Sequence, residues 1–235
     1  MMDSRLTVES AGRMGSATSG REGDLVIAAG AALPAQRIPL VAWYDSLRVW
    51  RVAGNARLEP DASGIIGGQY RGELGPDGTF VTRERPFVPD ELRAVMDLGA
   101  ILDDLLPRLP PRALQVGEEW RSGDSLAIQR LADSTALQRY RIRMARSGEV
   151  IPPPGDTLTP AYTRDLTDEG VAAWSPAEGP VRYERRTTVV AQVPAHGAVK
   201  QLVRSQMEQR TVLERRPDVP DCSAATPAGA RGAGR

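Results

Sequence analysis

Val181–Val193 reads VRYERRTTVVAQV and Ala198–Leu213 reads AVKQLVRSQMEQRTVL, with Pro194-Ala195-His196-Gly197 between them. Both runs carry β-branched residues, lack internal proline and glycine, and are separated by turn-forming residues. That pattern describes two long antiparallel strands joined as a hairpin. At ~3.4 Å per residue the first arm reaches about 40 Å, and strands of that length curve or twist around something. The hairpin makes the chain mainly β.

The rest of the sequence extends that reading outward. In Leu137–Ala145 (LQRYRIRMA), Tyr140, Ile142 and Met144 share one face of a strand while Arg139, Arg141 and Arg143 share the other. Leu126–Leu131 is a second strand candidate, and Pro152–Pro160 is a proline-rich loop. Toward the N-terminus, Arg5–Ser10 alternates Leu6 and Val8 with Thr7 and Glu9. The polar, glycine-rich stretch 12–24 reads as a loop or weak strand, and Leu25–Ala29 as an apolar strand. Within Val41–Val52, Leu47, Val49 and, across the pleat, Trp50 fit a strand with one wet face. Gly75-Pro76-Asp77-Gly78 is a turn between Gln69–Leu74 and Thr79–Arg83, because proline presets φ and glycine accepts positive φ.

One segment departs from the strand period. Leu92, Val95, Met96, Ile101, Leu102, Leu105 and Leu106 recur at three and four, predicting a helix capped by Asp90 and ended by Pro107, Pro110 and Pro111. Gly99 divides it into two pieces, with Asp97 capping the second. So wide an apolar stripe must lie against a sheet. From Arg216 the chain is Pro, Ala, Gly and Arg without periodicity, which gives a single β-rich domain over 1–215 and a disordered tail over 216–235.

Composition excludes several chemistries. Thirty basic residues balance 30 acidic ones, so no nucleic-acid partner is expected. One cysteine, Cys222, rules out an intrachain disulfide and thiolate metal clusters. One histidine, His196, rules out His-pair zinc sites, and neither metal nor cofactor is expected. No run approaches the ~18 apolar residues of a membrane span. Leu25–Pro34 (LVIAAGAALP) has the length of a signal-peptide core, but Asp24, Glu22 and Glu9 stand where a signal needs positive charge, so a strand is expected there. The strand-like start at Arg5 leaves room for an upstream segment.

The candidate sites are few. Gly64–Gly68 lacks the Lys-Ser/Thr pair of a phosphate loop and reads as turn glycines. The adjacent carboxylates Asp103-Asp104, Glu118-Glu119 and Asp168-Glu169 point apart on a helix or strand, unlike an acid–base pair facing a substrate. His196 has Ser205 and Asp165 as conceivable partners but no nucleophile elbow. No catalytic residue is expected, and the chain reads as a non-enzyme. Arg139, Arg141, Arg143 and Arg146 can meet phosphates or lipid head groups, or pair with glutamates on neighbouring strands; net neutrality favours pairing. Trp43, Trp50, Trp120 and Trp174 can line a cavity or fill a core.

Early strands, the apolar segment Asp90–Leu106, then Pro110–Trp120 (PPRALQVGEEW) and long closing strands follow in an order that resembles the periplasmic lipoprotein-carrier superfamily. That group includes the outer-membrane lipoprotein carrier, actinobacterial lipid-transfer lipoproteins and many uncharacterised bacterial secreted proteins. Val116-Gly117-Glu118-Glu119-Trp120 is similar to a V-G-D-x-W turn of uncharacterised members. The resemblance implies a curved antiparallel half-barrel with the two-piece amphipathic helix on its concave face, a periplasmic or secreted location, and a gap that takes acyl chains. The residues expected to line a lipid or other apolar ligand are Trp50, Leu92, Val95, Met96, Ile101, Leu102, Tyr140 and Ile142. The alternative is a structural or protein-interaction module with a dry core.

Overall fold

A computed structural model describes residues 1–10, 13–96, 98–99, 102, 105–134, 136–152, 160–175, 179–196 and 200–216. Twelve strands among them form one open, curved antiparallel sheet. They are β1 (Met2–Ser10), β2 (Arg13–Ala29), β3 (Ile38–Ala53), β4 (Ala56–Leu58), β5 (Tyr70–Leu74) and β6 (Phe80–Glu84), followed by β7 (Glu119–Ser122), β8 (Leu126–Ser134), β9 (Leu137–Val150), β10 (Tyr162–Ser175), β11 (Gly179–Val193) and β12 (Val203–Glu214). The order across the sheet is β6-β5-β3-β2-β1-β12-β11-β10-β9-β8-β7, with β4 beside β3. Two meanders are thus joined at the middle by β1 and β12, and the two edge strands, β6 and β7, are consecutive in the chain. Residues 85–118 link one edge to the other.

That linker supplies the core. Val88, Leu92, Val95, Met96, Leu98, Leu102 and Leu105 pack with Leu40, Ala42, Tyr44 and Val49 of β3 and with Tyr70 and Phe80 in one cluster. Tyr70 Oη donates a 2.8 Å hydrogen bond to the buried carbonyl of Leu98. A second, smaller cluster of Ile128, Tyr140, Ile142, Ala172 and Tyr183 lies on β8–β11, and Leu213 of β12 touches both. The face that carries both clusters is the inner face.

The two-piece helix is corrected. Among the described residues the first piece is one turn, α1 (Asp90–Arg93), with Pro89, not Asp90, at the N-cap, and helical conformation recurs at Leu102 and Leu105. Asp90 instead pairs with Arg93 at 2.9 Å. The three-and-four spacing arises because Leu92, Val95, Met96 and Leu98, each at most 9% exposed, are buried in the core while Glu91, Arg93 and Ala94 between them stay exposed. A short buried apolar run carries no helical information of its own. Asp97 and Ile101 lie outside the described residues. Residues 13–24 of the glycine-rich stretch fall within β2, since pairing with β1 and β3 supplies what its glycines withhold. Strand β10, which carries no strong apolar alternation, is an addition to the sequence reading.

Candidate ligand-binding face

Strand register aligns the inner face into rows. One row runs Ile128, Ile142, Gly170, Arg185, Thr211, Met2, Arg21, Val49 from β8 to β3. The next runs Leu126, Met144, Asp168, Thr187, Gln209, Ser4, Ser19. Where apolar residues would continue the core, these rows turn polar.

At their centre Arg185 Nη1 lies 3.3 Å from Asp168 Oδ2, with side chains only 11% and 9% exposed. Thr187 Oγ1 donates to Asp168 Oδ1 at 3.3 Å, and Gln209 Nε2 donates to Thr211 Oγ1 at 3.3 Å. Arg185 Nε is buried without a hydrogen-bond partner among the described residues, an uncommon and costly state for a charged donor. Gly170 makes room for the pair's strand: a Cβ there would stand 2.8 Å from Tyr183 Cε2 and 2.9 Å from Arg185 Cβ. Near the other end of the row Tyr44 is pushed up by burial, with Arg21 opposing the shift.

Beyond the polar rows the inner face becomes apolar again. The next row is Leu166, Val189, Met207, Leu6 and Ala17, and the one after it holds Ala191 and Val8. All of these are half-buried, and none belongs to either cluster. Among the described residues the sheet here is a single layer of β9–β12, β1 and β2.

The outer face of the same strands is ionic. Arg143 pairs with Glu119, Arg121 with Glu119 at 2.8 Å, Arg210 with Glu184 at 2.6 Å and Arg182 with Glu184 and Glu214 at 3.3 Å; Arg141 approaches Glu169 at 3.8 Å. Hydrogen bonds from Arg210 and Arg182 hold the Glu184 carboxyl below the usual range, and Arg121, then Arg143, does the same to Glu119. An open groove of about 750 Å³ follows this face along β8–β12. Arg141 and Arg143 of the stripe are therefore paired with glutamates, Arg139 shares their face with no ion pair among the described residues, and Arg146 departs from it. Arg146 has the parity of Ile142 and stands on the inner face.

The expected ligand-lining residues divide. Leu92, Val95, Met96 and Leu102 meet in the first cluster, Tyr140 and Ile142 in the second. Trp50, opposite Gly20, is on the other face of β3 from buried Val49. Ile101, Asp103-Asp104 and Cys222 lie outside the described residues. Asp168 and Glu169 point to opposite faces, Glu118 is bound by Arg112 and the Gln115 amide, and exposed His196 has no side-chain partner among the described residues. Ser205 and Asp165 face opposite sides of the sheet. No group of three metal-binding side chains occurs among the described residues. The Arg185–Asp168 pair escaped sequence reasoning because only register reveals that both face inward; a signal was Arg185 at the inward parity of Tyr183.

No family model, curated protein or solved structure matches the chain.

Proposed function

We propose that this protein is a non-catalytic lipid-binding module that holds acyl chains against the inner face of its curved sheet. One observation carries the reading: Leu6, Val8, Leu166, Val189 and Met207 form an apolar surface that stays half-buried outside both clusters. A contiguous apolar surface of this kind marks a binding face more often than an idle one. A periplasmic or secreted setting belongs to the proposal and rests on the lipoprotein-carrier resemblance alone. Native mass spectrometry before and after mild organic extraction tests it. A discrete extractable adduct in the lipid mass range is expected. A clean apo mass, with no uptake of added fatty acid or phospholipid, would sink it.

A second reading is a protein-interaction module with a dry core. It is favoured by the linker, where Leu92 and Leu98 are fully buried and Leu102 is 2% exposed. Neither the outer groove nor the cavity of about 410 Å³ beside the β5–β6 turn is lined by that segment. The proposal therefore assigns acyl chains to the open end of the sheet. Stable self-association, or a co-purifying protein in place of lipid, would select the second reading.

A further inference from the structure

We propose that the open end of the inner face docks on an anionic lipid bilayer, an inference that rests on the lipid-binding reading and names the partner of the same site. Three arginines rim the apolar rows. Arg146 of β9 is opposite Leu166, Arg164 of β10 is opposite Ala191, and Arg13 of β2 is opposite Ser10 on the far flank. Strand parity puts each on the inner face with Leu6, Val189 and Met207.

Their electrostatic setting differs from that of the outer face. Arg121, Arg141, Arg143, Arg182 and Arg210 have carboxylate partners there, and Arg5, Arg139, Arg186 and Arg204, which make no ion pair among the described residues, share that face with Glu9, Glu149, Asp165, Glu169 and Glu208. Arg13, Arg146 and Arg164 are exposed and make no ion pair or side-chain hydrogen bond among the described residues. From Asp168 outward, no other described Asp or Glu stands on the inner face of β1, β2 or β9–β12. The patch therefore combines half-buried apolar side chains with uncompensated positive charge, while the reverse side of the same strands is polar and neutralised.

That combination fits the boundary between phosphate head groups and acyl chains. Guanidinium forks match phosphate oxygens bidentately, and apolar side chains seated beside them reach the acyl layer. A second copy of this chain would bring three arginines against three arginines, and a neutral apolar ligand would leave all three without counter-charge.

Co-sedimentation of the full chain with vesicles tests the inference. The protein is expected to bind phosphatidylcholine vesicles containing phosphatidylglycerol, to ignore phosphatidylcholine alone, and to dissociate as salt rises. The variant R13Q/R146Q/R164Q, altered only at exposed positions, is expected to bind about a hundredfold more weakly, roughly fivefold for each arginine. The outer-face variant R182Q/R210Q is expected to bind like the unaltered chain. Equal loss in both variants, or a stable dimer that hides the patch, overturns the inference. Equal binding to both vesicle types overturns it too, yet keeps the lipid-binding reading. No association with any vesicle, together with a clean apo mass, removes both.

Discussion

Arg185 and Asp168 are the residues whose chemistry the fold works hardest to accommodate. Removing one partner leaves the other buried and uncompensated, so Arg185→Met or Asp168→Leu alone is expected to cost about 3–5 kcal/mol. Replacing both, as R185M/D168L, is expected to cost less than the two single losses added together. Urea denaturation of the four proteins closes the cycle, and simple additivity would contradict the pairing. Gly170 belongs to the same neighbourhood. A side chain there collides with the Tyr183 ring and with Arg185 Cβ, so Gly170→Val is expected to lose about 1–3 kcal/mol in the same assay. At the surface, hydrogen bonds from Arg48 and then Arg57 lower the Glu59 carboxyl from the usual 4.5 to about 2. A depressed folded value means that its contribution is present above pH 4.5 and is lost as pH falls through about 2. NMR titration of Glu59 should give that midpoint, and Arg48→Ala should move it up toward 4.5.

At the scale of elements, the strands were legible where alternation was clean. Tyr140 and Ile142 face the core and Arg139, Arg141 and Arg143 face away, as Leu137–Ala145 alone implied. The linker was illegible as structure because its apolar spacing records which residues are buried in the core, not a helical period. Only the prolines that bracket it, Pro86 and Pro89 before and Pro107, Pro110 and Pro111 after, hinted that it is not a free-standing helix. The candidate face was legible in even smaller part. Leu6 and Val8 read as an inward strand, but Leu166, Val189 and Met207 join them only through register between distant strands. Tyr70 carries much of the linker's placement. Tyr70→Phe would leave the buried Leu98 carbonyl without its 2.8 Å donor and is expected to cost about 1–3 kcal/mol. Hydrogen exchange should show faster loss of protection at Val95 and Met96 than in β10; unchanged exchange in the linker would argue that Leu92 and Leu98 hold it without help.

The whole molecule depends on the seam between β1 and β12, which joins its two meanders across nearly the full sequence. No local pattern announces such a pairing, which is why Arg5–Ser10 could be read as a strand but not placed. Leu6→Pro, which removes an amide from the middle of β1 and forbids regular pairing there, is expected to uncouple the halves. Calorimetry should then show two unfolding steps; a single step at lowered temperature would mean that the linker alone keeps them cooperative. The seam's orientation has a mechanical consequence. Met2 is opposite Thr211 and Ser10 opposite Val203, and the Met1 amine donates to the Val212 carbonyl at 2.9 Å. The outer ends of β1 and β12 therefore leave the sheet side by side. A pull applied between them loads the ladder one rung at a time, so the seam unzips where a shear load would have met every rung together. Tension along the chain finds the weakest direction of the molecule first, and it opens the sheet at its middle while both edges are still folded.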